Sequence, residues 1–239
     1  MKRITALTSG DFKNITRDSI LLLVTFIPFF IGLLARFGMP FAREALLEYF
    51  DLAEHYVFIM SFLILMTPMM YGTVMGFIIL DDRDEDILTY ISVTPLSRQG
   101  YVLYRLMSPM VSSFILTFVV LFLGGLVELH PMGTIPVAIM ASLEAPLMTL
   151  VLGTFAANKV EGLAISKGLG LLNFAPVAAY FIKSDWQLLA GILPPYWITK
   201  AFLSIYMNYE GYWIYIICGL TVHILLILVM LKRFNKRIS

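Results

Sequence analysis

Six stretches of this chain are apolar for long enough to cross a lipid bilayer, and nothing else in the sequence restricts the fold as much. A bilayer core takes about 20 mostly apolar residues per helix. The expected spans are residues 19–37, 56–80, 106–127, 135–157, 164–182 and 212–231. Composition agrees: hydrophobic residues are 59% of the 239 and charged residues only 14%, with a mean hydropathy of +0.85. Soluble domains carry about 25% charged residues, so a water-soluble fold would have nowhere to put the surplus. The first apolar run follows an eighteen-residue stretch rich in polar and charged residues, Asp11 and Asp18 among them. That is too long and too acidic for a signal-peptide n-region, and the run is expected to be a retained span.

Lysine and arginine set the orientation, because they concentrate on the cytoplasmic side. With the N-terminus inside, thirteen fall in cytoplasmic segments, and four (Arg36, Arg43, Lys183 and Lys200) fall outside. An even number of spans keeps both basic ends inside; five or seven would not. The net charge of +1 gives no reason to expect nucleic acid. The single cysteine, Cys218, rules out an intrachain disulfide.

Residues 1–18 read as an amphipathic helix on the membrane surface. Ile4, Leu7, Phe12 and Ile15 fall near one face, and Lys2, Arg3, Lys13 and Arg17 can meet anionic headgroups. A disordered basic tail is the competing view, and Gly10 weakens the helix. The sequon Asn14-Ile15-Thr16 faces the cytoplasm on this topology and is discounted.

The connection between the second and third spans is longer and more patterned than a hairpin needs. Five acids crowd into Asp81–Asp86, followed by apolar positions at Ile87, Leu88, Ile91 and Val93 and a stop at Thr94-Pro95. This predicts a short amphipathic helix whose acids suit its N-terminal dipole. It would dock on the bilayer or on a cytosolic partner, unless the acids form only a solvated face.

On the outer side, Gly191-Ile192-Leu193-Pro194-Pro195-Tyr196-Trp197 joins a helix-breaking proline pair to rings favoured at interfaces. It reads either as a re-entrant element or as an aromatic anchor for the last span. Within the spans, Glu144 stands beside Ser142 and Pro146. An acid there costs about 2.5–3.5 kcal/mol on insertion scales and marks function by default. The alternative is a protonated glutamic acid bonded across helices, and Asn173 is a weaker case of the same kind. These three, Glu144, Ser142 and Asn173, are the tentative substrate pathway. Gly72 and Gly76 form a GxxxG that permits close helix contact. His55, His130 and His223 are dispersed and read as surface or interface residues. No metal-ligand spacing is present.

The chain lacks a GxxxxGK[ST] phosphate loop, an HExxH and a GxSxG. Transport, channel activity or scaffolding remain.

The run Asp84-Glu85-Asp86-Ile87-Leu88-Thr89, then Val93-Thr94-Pro95-Leu96-Ser97, then Tyr101 to Arg105, resembles the loop between spans two and three of type-2 ABC transporter permeases. The layout is similar too: a surface N-terminal helix, six spans, and a proline-aromatic element before the last. One departure is Asp86-Ile87-Leu88-Thr89, where many members have a glycine before a Thr-Leu pair. The resemblance implies an all-α integral membrane protein with a cytoplasmic coupling helix. Asp84, Glu85, Asp86, Ile87, Leu88, Ile91, Thr94, Pro95, Leu96 and Ser97 would couple it to a separate cytosolic ATPase subunit. A second permease copy, identical or related, would complete the transporter. This chain would bind no cofactor, ATP and magnesium belonging to the partner. The expected location is a bacterial plasma membrane, multi-pass with both termini cytoplasmic. The expected cargo is a hydrophobic or amphipathic small molecule or peptide. A stand-alone secondary transporter or channel using Glu144 is the alternative.

Overall fold

The computed structural model describes residues 2–87, 97–207 and 210–238, with side chains from residue 7 to residue 237 in those segments. Helices dominate, and no strand occurs among the described residues. In chain order they are α1 (Lys2–Arg17), α2 (Ser19–Leu46), α3 (Tyr56–Asp84), α4 (Ser97–Gly124) and α5 (Pro131–Ser142). There follow α6 (Glu144–Phe155), α7 (Lys159–Leu169), α8 (Phe174–Phe181), α9 (Pro194–Tyr206) and α10 (Tyr212–Ile238). Six stretches are long and apolar enough to cross a membrane: α2, α3, α4, the pair α5–α6, the pair α7–α8, and α10. The all-α class and the count of six both hold.

The helices outrun the apolar runs that announce them. Asp18 caps α2 by accepting from the Ile20 and Leu21 amides, and the helix continues past residue 37 to Leu46. The third span starts at Ser97 rather than at residue 106 and closes at Gly124, before Gly125 turns the chain with φ +58°. Tyr101–Arg105 is therefore part of a membrane helix, not of the loop before it. The fourth span covers 131–155 rather than 135–157 and breaks at Leu143, because Pro146 has no N–H for the Ser142 carbonyl. The fifth begins at Lys159 rather than at residue 164, capped by Asn158, and a 3-10 turn at Gly170–Asn173 interrupts it.

Two spans form the interior. In α3 and in α5–α6, 72% of the most apolar stretch is buried, against 17–28% in the other four. Their closest approach is at the glycines of the GxxxG. A Cβ on Gly72 would lie 2.3 Å from the Ala145 carbonyl oxygen, and one on Gly76 would meet Leu152. Thr149 closes the contact by donating to the Gly72 carbonyl at 3.0 Å.

The proline pair does not interrupt a helix but starts one. Pro194 and Pro195 occupy the first turn of α9, where a missing N–H costs nothing. Thirteen residues rise about 20 Å, too little to span. Yet Ile198, Ala201 and Phe202 are fully buried among Met60, Ile64, Val137 and Ile216. The segment is a helix inserted between α3, α5 and α10 at the end of the bundle away from the C-terminus of α10, which fits the re-entrant expectation rather than a simple aromatic anchor.

Helix α1 and the end of α10 lie at one face of the bundle, the basic face. Arg237 near the end of α10 donates to the Thr154 carbonyl of α6. Arg83 at the end of α3 donates to the Ala156 and Ala157 carbonyls at 2.7 and 2.8 Å.

Candidate functional site

At the basic face the spans are fastened by charge. Arg105 is 3% exposed and sits eight residues inside α4. It donates to Asp11 of α1 at 2.5 Å and to Asp82 of α3 at 2.6 Å. The Tyr101 hydroxyl also donates to Asp82, at 2.5 Å, and the Tyr104 hydroxyl to Asp11, at 2.7 Å. One guanidinium thus joins three helices, as its planar fork of donors allows. A second clamp lies alongside, where Lys159 at the start of α7 pairs with Asp18 at 2.5 Å and Asp81 at 2.9 Å. Partial burial alone would raise the Asp18 carboxyl. The Lys159 ammonium and the Leu21 and Ile20 amides outweigh that and hold it below its ordinary value.

These pairs change the reading of the acidic run. Asp81 and Asp82 close α3 and are neutralised by cations from other helices, so they do not begin a new one. Asp84, Glu85 and Asp86 are exposed. Ile87 packs on the cluster of Ile79, Tyr101 and Phe234. Asp86 has φ +55°, and Ser97 has φ +59° with its hydroxyl accepting from the Gly100 amide. Leu88, Ile91, Thr94, Pro95 and Leu96 lie outside the described residues.

At mid-membrane, Glu144 opens α6 at the break in the fourth span and is fully buried. Its partner was not legible in the sequence. His223 of α10, also fully buried, places Nε2 3.4 Å from Glu144 Oε1, while its Nδ1 meets the Gly219 carbonyl at 2.7 Å. His223 is therefore not a surface histidine. Neither Glu144 carboxylate oxygen has a hydrogen-bond partner among the described residues. Ser142 is buried beside this pair but spends its hydroxyl on the Ile139 carbonyl at 2.7 Å.

Asn173 belongs to a different place. It lines a cavity of about 260 Å³ between α2, α3 and α7, together with Met66, Met69, Met70, Met148 and Lys167. The three tentative pathway residues thus separate: Asn173 lines this cavity, and Glu144 and Ser142 do not. Lys167 also lines the cavity, eight residues into the fifth span.

Fold and site together define a six-span helical membrane permease with its charged fastenings at one face. A family model described as fluoroquinolones export permease protein Rv2686c-like matches residues 11–231, and the chain belongs to that family. It is 29% identical over 241 aligned positions to the fluoroquinolones export permease protein Rv2686c of Mycobacterium tuberculosis (strain ATCC 25618 / H37Rv). The identity is the same to MT2760 of strain CDC 1551 / Oshkosh; each comparison covers 99% of this chain and 95% of the relative. No solved structure matches the chain. The family agrees with the type-2 ABC permease resemblance.

Proposed function

We propose that this chain is the membrane subunit of an ATP-driven exporter that moves amphipathic small molecules, fluoroquinolones among them, out of a bacterial cytoplasm. In this reading the basic face is cytoplasmic, two permease copies pair, and a separate ATPase binds nucleotide and magnesium. The segment from Asp84 to Ser97 docks on that ATPase and carries its movement into the spans by alternating access. The observation that carries the reading is how this segment is rooted. Asp82 lies two residues before it and Arg105 eight residues after it, and the two are joined by a buried ion pair. A push on the segment would reach α1, α3 and α4 together, because Arg105 also holds Asp11.

The test is reconstitution with the ATPase in proteoliposomes. Glu85→Arg should abolish ATP-dependent norfloxacin transport and permease-stimulated ATP hydrolysis while the permease remains folded. Unchanged stimulation by Glu85→Arg together with Asp84→Arg would sink the coupling role.

A second reading, a stand-alone proton-coupled transporter, draws on the Glu144–His223 pair. An intramembrane carboxyl beside an imidazole can pass a proton between the two groups. Flux driven by a pH gradient through the purified chain alone, lost in Glu144→Gln, would favour it over the ATP-driven reading.

A further inference from the structure

We infer that the methionine-lined cavity between α2, α3 and α7 is a binding site, complete within one copy of the chain, for an amphipathic molecule with an anionic group and a hydrogen-bond donor. The inference deepens the export reading and rests on it for the direction of movement, though not for binding.

Size sets the body of the ligand. An apolar cavity of about 150 Å³ takes a benzene ring, so about 260 Å³ has room for two fused rings. The walls suit flat rings. Met66, Met69 and Met70 of α3 and Met148 of α6 present flexible, polarisable thioethers among Ile20, Val24, Ile27 and Phe77. Thioethers adapt to different apolar shapes and contact aromatic rings favourably.

Two polar groups set the rest. Lys159 holds the basic-face end of α7, and Lys167 lies eight residues further along, about 12 Å at the helical rise. A lysine at that depth is costly in lipid, and such residues face water-filled cavities or partners. Among the described residues no carboxylate lies within ion-pair distance of Lys167. Its side chain is exposed at the cavity's rim, where its charge favours an anion. Asn173 donates through Nδ2 to the Gly170 carbonyl at 3.0 Å, which orients the amide and leaves Oδ1 the acceptor. That oxygen is buried and has no hydrogen-bond partner among the described residues. It calls for a donor. A lipid tail satisfies neither group, whereas a fused-ring zwitterion satisfies both.

Binding can be measured without the ATPase, on the full chain in phosphatidylcholine nanodiscs, with norfloxacin as an intrinsically fluorescent probe. Lys167→Gln should weaken the Kd about tenfold, the scale of one charged hydrogen bond, and Lys167→Arg should retain it. The methyl ester of norfloxacin should bind wild type and Lys167→Gln alike. Norfloxacin should also protect the half-buried Met66, Met69 and Met70 from peroxide oxidation, and Met69→Trp should fill the space and remove binding. Equal affinities for wild type, Lys167→Gln and Met69→Trp, or no protection at these methionines, would overturn the site. So would displacement of the probe by phosphatidylglycerol, which would give the cavity to a lipid headgroup. ATP-dependent export that survives Met69→Trp unchanged would remove the site and leave the export reading standing. Site-specific binding with no ATP-dependent export would keep the site and remove the motor.

Discussion

Replacing Arg105 by methionine should be the most damaging single change at the basic face. The side chain is 3% exposed, and among the described residues no other cation pairs with Asp11 or Asp82. Methionine keeps most of the apolar stem, so the loss is chiefly the guanidinium. Two tyrosine hydroxyls would still donate to the stranded acids, but they carry no charge. Removing one partner of a buried pair costs about 3–5 kcal/mol, because the remaining ion stays desolvated. With two ions stranded, the expected loss lies at the top of that range. Neutralising both acids in the same background, Asp11→Asn with Asp82→Asn, should restore at least half. Unfolding by SDS titration in mixed micelles, followed by helical circular dichroism, measures all four corners of the cycle. Trypsin adds a local readout, since releasing Asp11 should expose Lys13 and Arg17 to faster cleavage. A loss of about 1 kcal/mol or less, the scale of an exposed pair, with unchanged cleavage, would refute the fastening.

Gly72→Ala should push α3 from α6 and cost about 1–3 kcal/mol by overpacking, because the new Cβ would lie 2.3 Å from the Ala145 oxygen. An unchanged thermal midpoint would count against that contact. Asp18 is held below its ordinary value near 3.8, so its contribution is complete above that pH and is lost as pH falls through the lower folded value. Asp18→Asn should therefore flatten the acid limb of the stability curve, and an identical limb would contradict this. Between α2 and α3, Arg43 of α2 and the Ala53 amide hold Asp51 at about 2. Because that pair is in water, Asp51→Asn should leave the thermal midpoint unchanged at about 0.15 M salt. A drop of several degrees would show a burial the structure does not have.

Apolar runs announced the spans, because burying about 20 apolar residues in lipid needs no knowledge of neighbours. The same logic misplaced their ends. Asp81, Asp82 and Arg105 look like loop residues when each charge is counted alone, and they enter helices only because each meets its opposite. Asp11 and Arg105 are 94 residues apart, and no local pattern links them. The GxxxG was legible as a close contact, although not that Ala145 and Leu152 of the same chain would fill it. Glu144 was legible as unusual for its medium. His223 was not, since a histidine in an apolar run gains its meaning from the acid across from it. Lys167 fell inside the expected span 164–182, but no local pattern shows that it shares a cavity with Met66 and Met148 of other helices.

Where the fastenings fall bears on how the permease could move. At the basic face, α1, α3 and α4 share Arg105, and Lys159 ties α7 to Asp18, before α2, and to Asp81 of α3. On the proposed mechanism these clamps respond differently to a push on residues 84–97. The Arg105 pairs are buried and would break only at a cost of several kcal/mol, so α1, α3 and α4 would travel as one body. The Lys159 pairs are more than a quarter exposed, and water can replace each partner. They are the weaker seam, and they lie at the basic-face end of the same three helices that enclose the methionine cavity. Movement of α3 relative to α2 and α7 would thus open the cavity at the face where the motor acts. Bridging that seam with a short bis-maleimide across Asp18→Cys and Lys159→Cys should stop transport while leaving norfloxacin binding intact. Transport that persists in the bridged variant would show that cargo leaves without α2 and α7 parting.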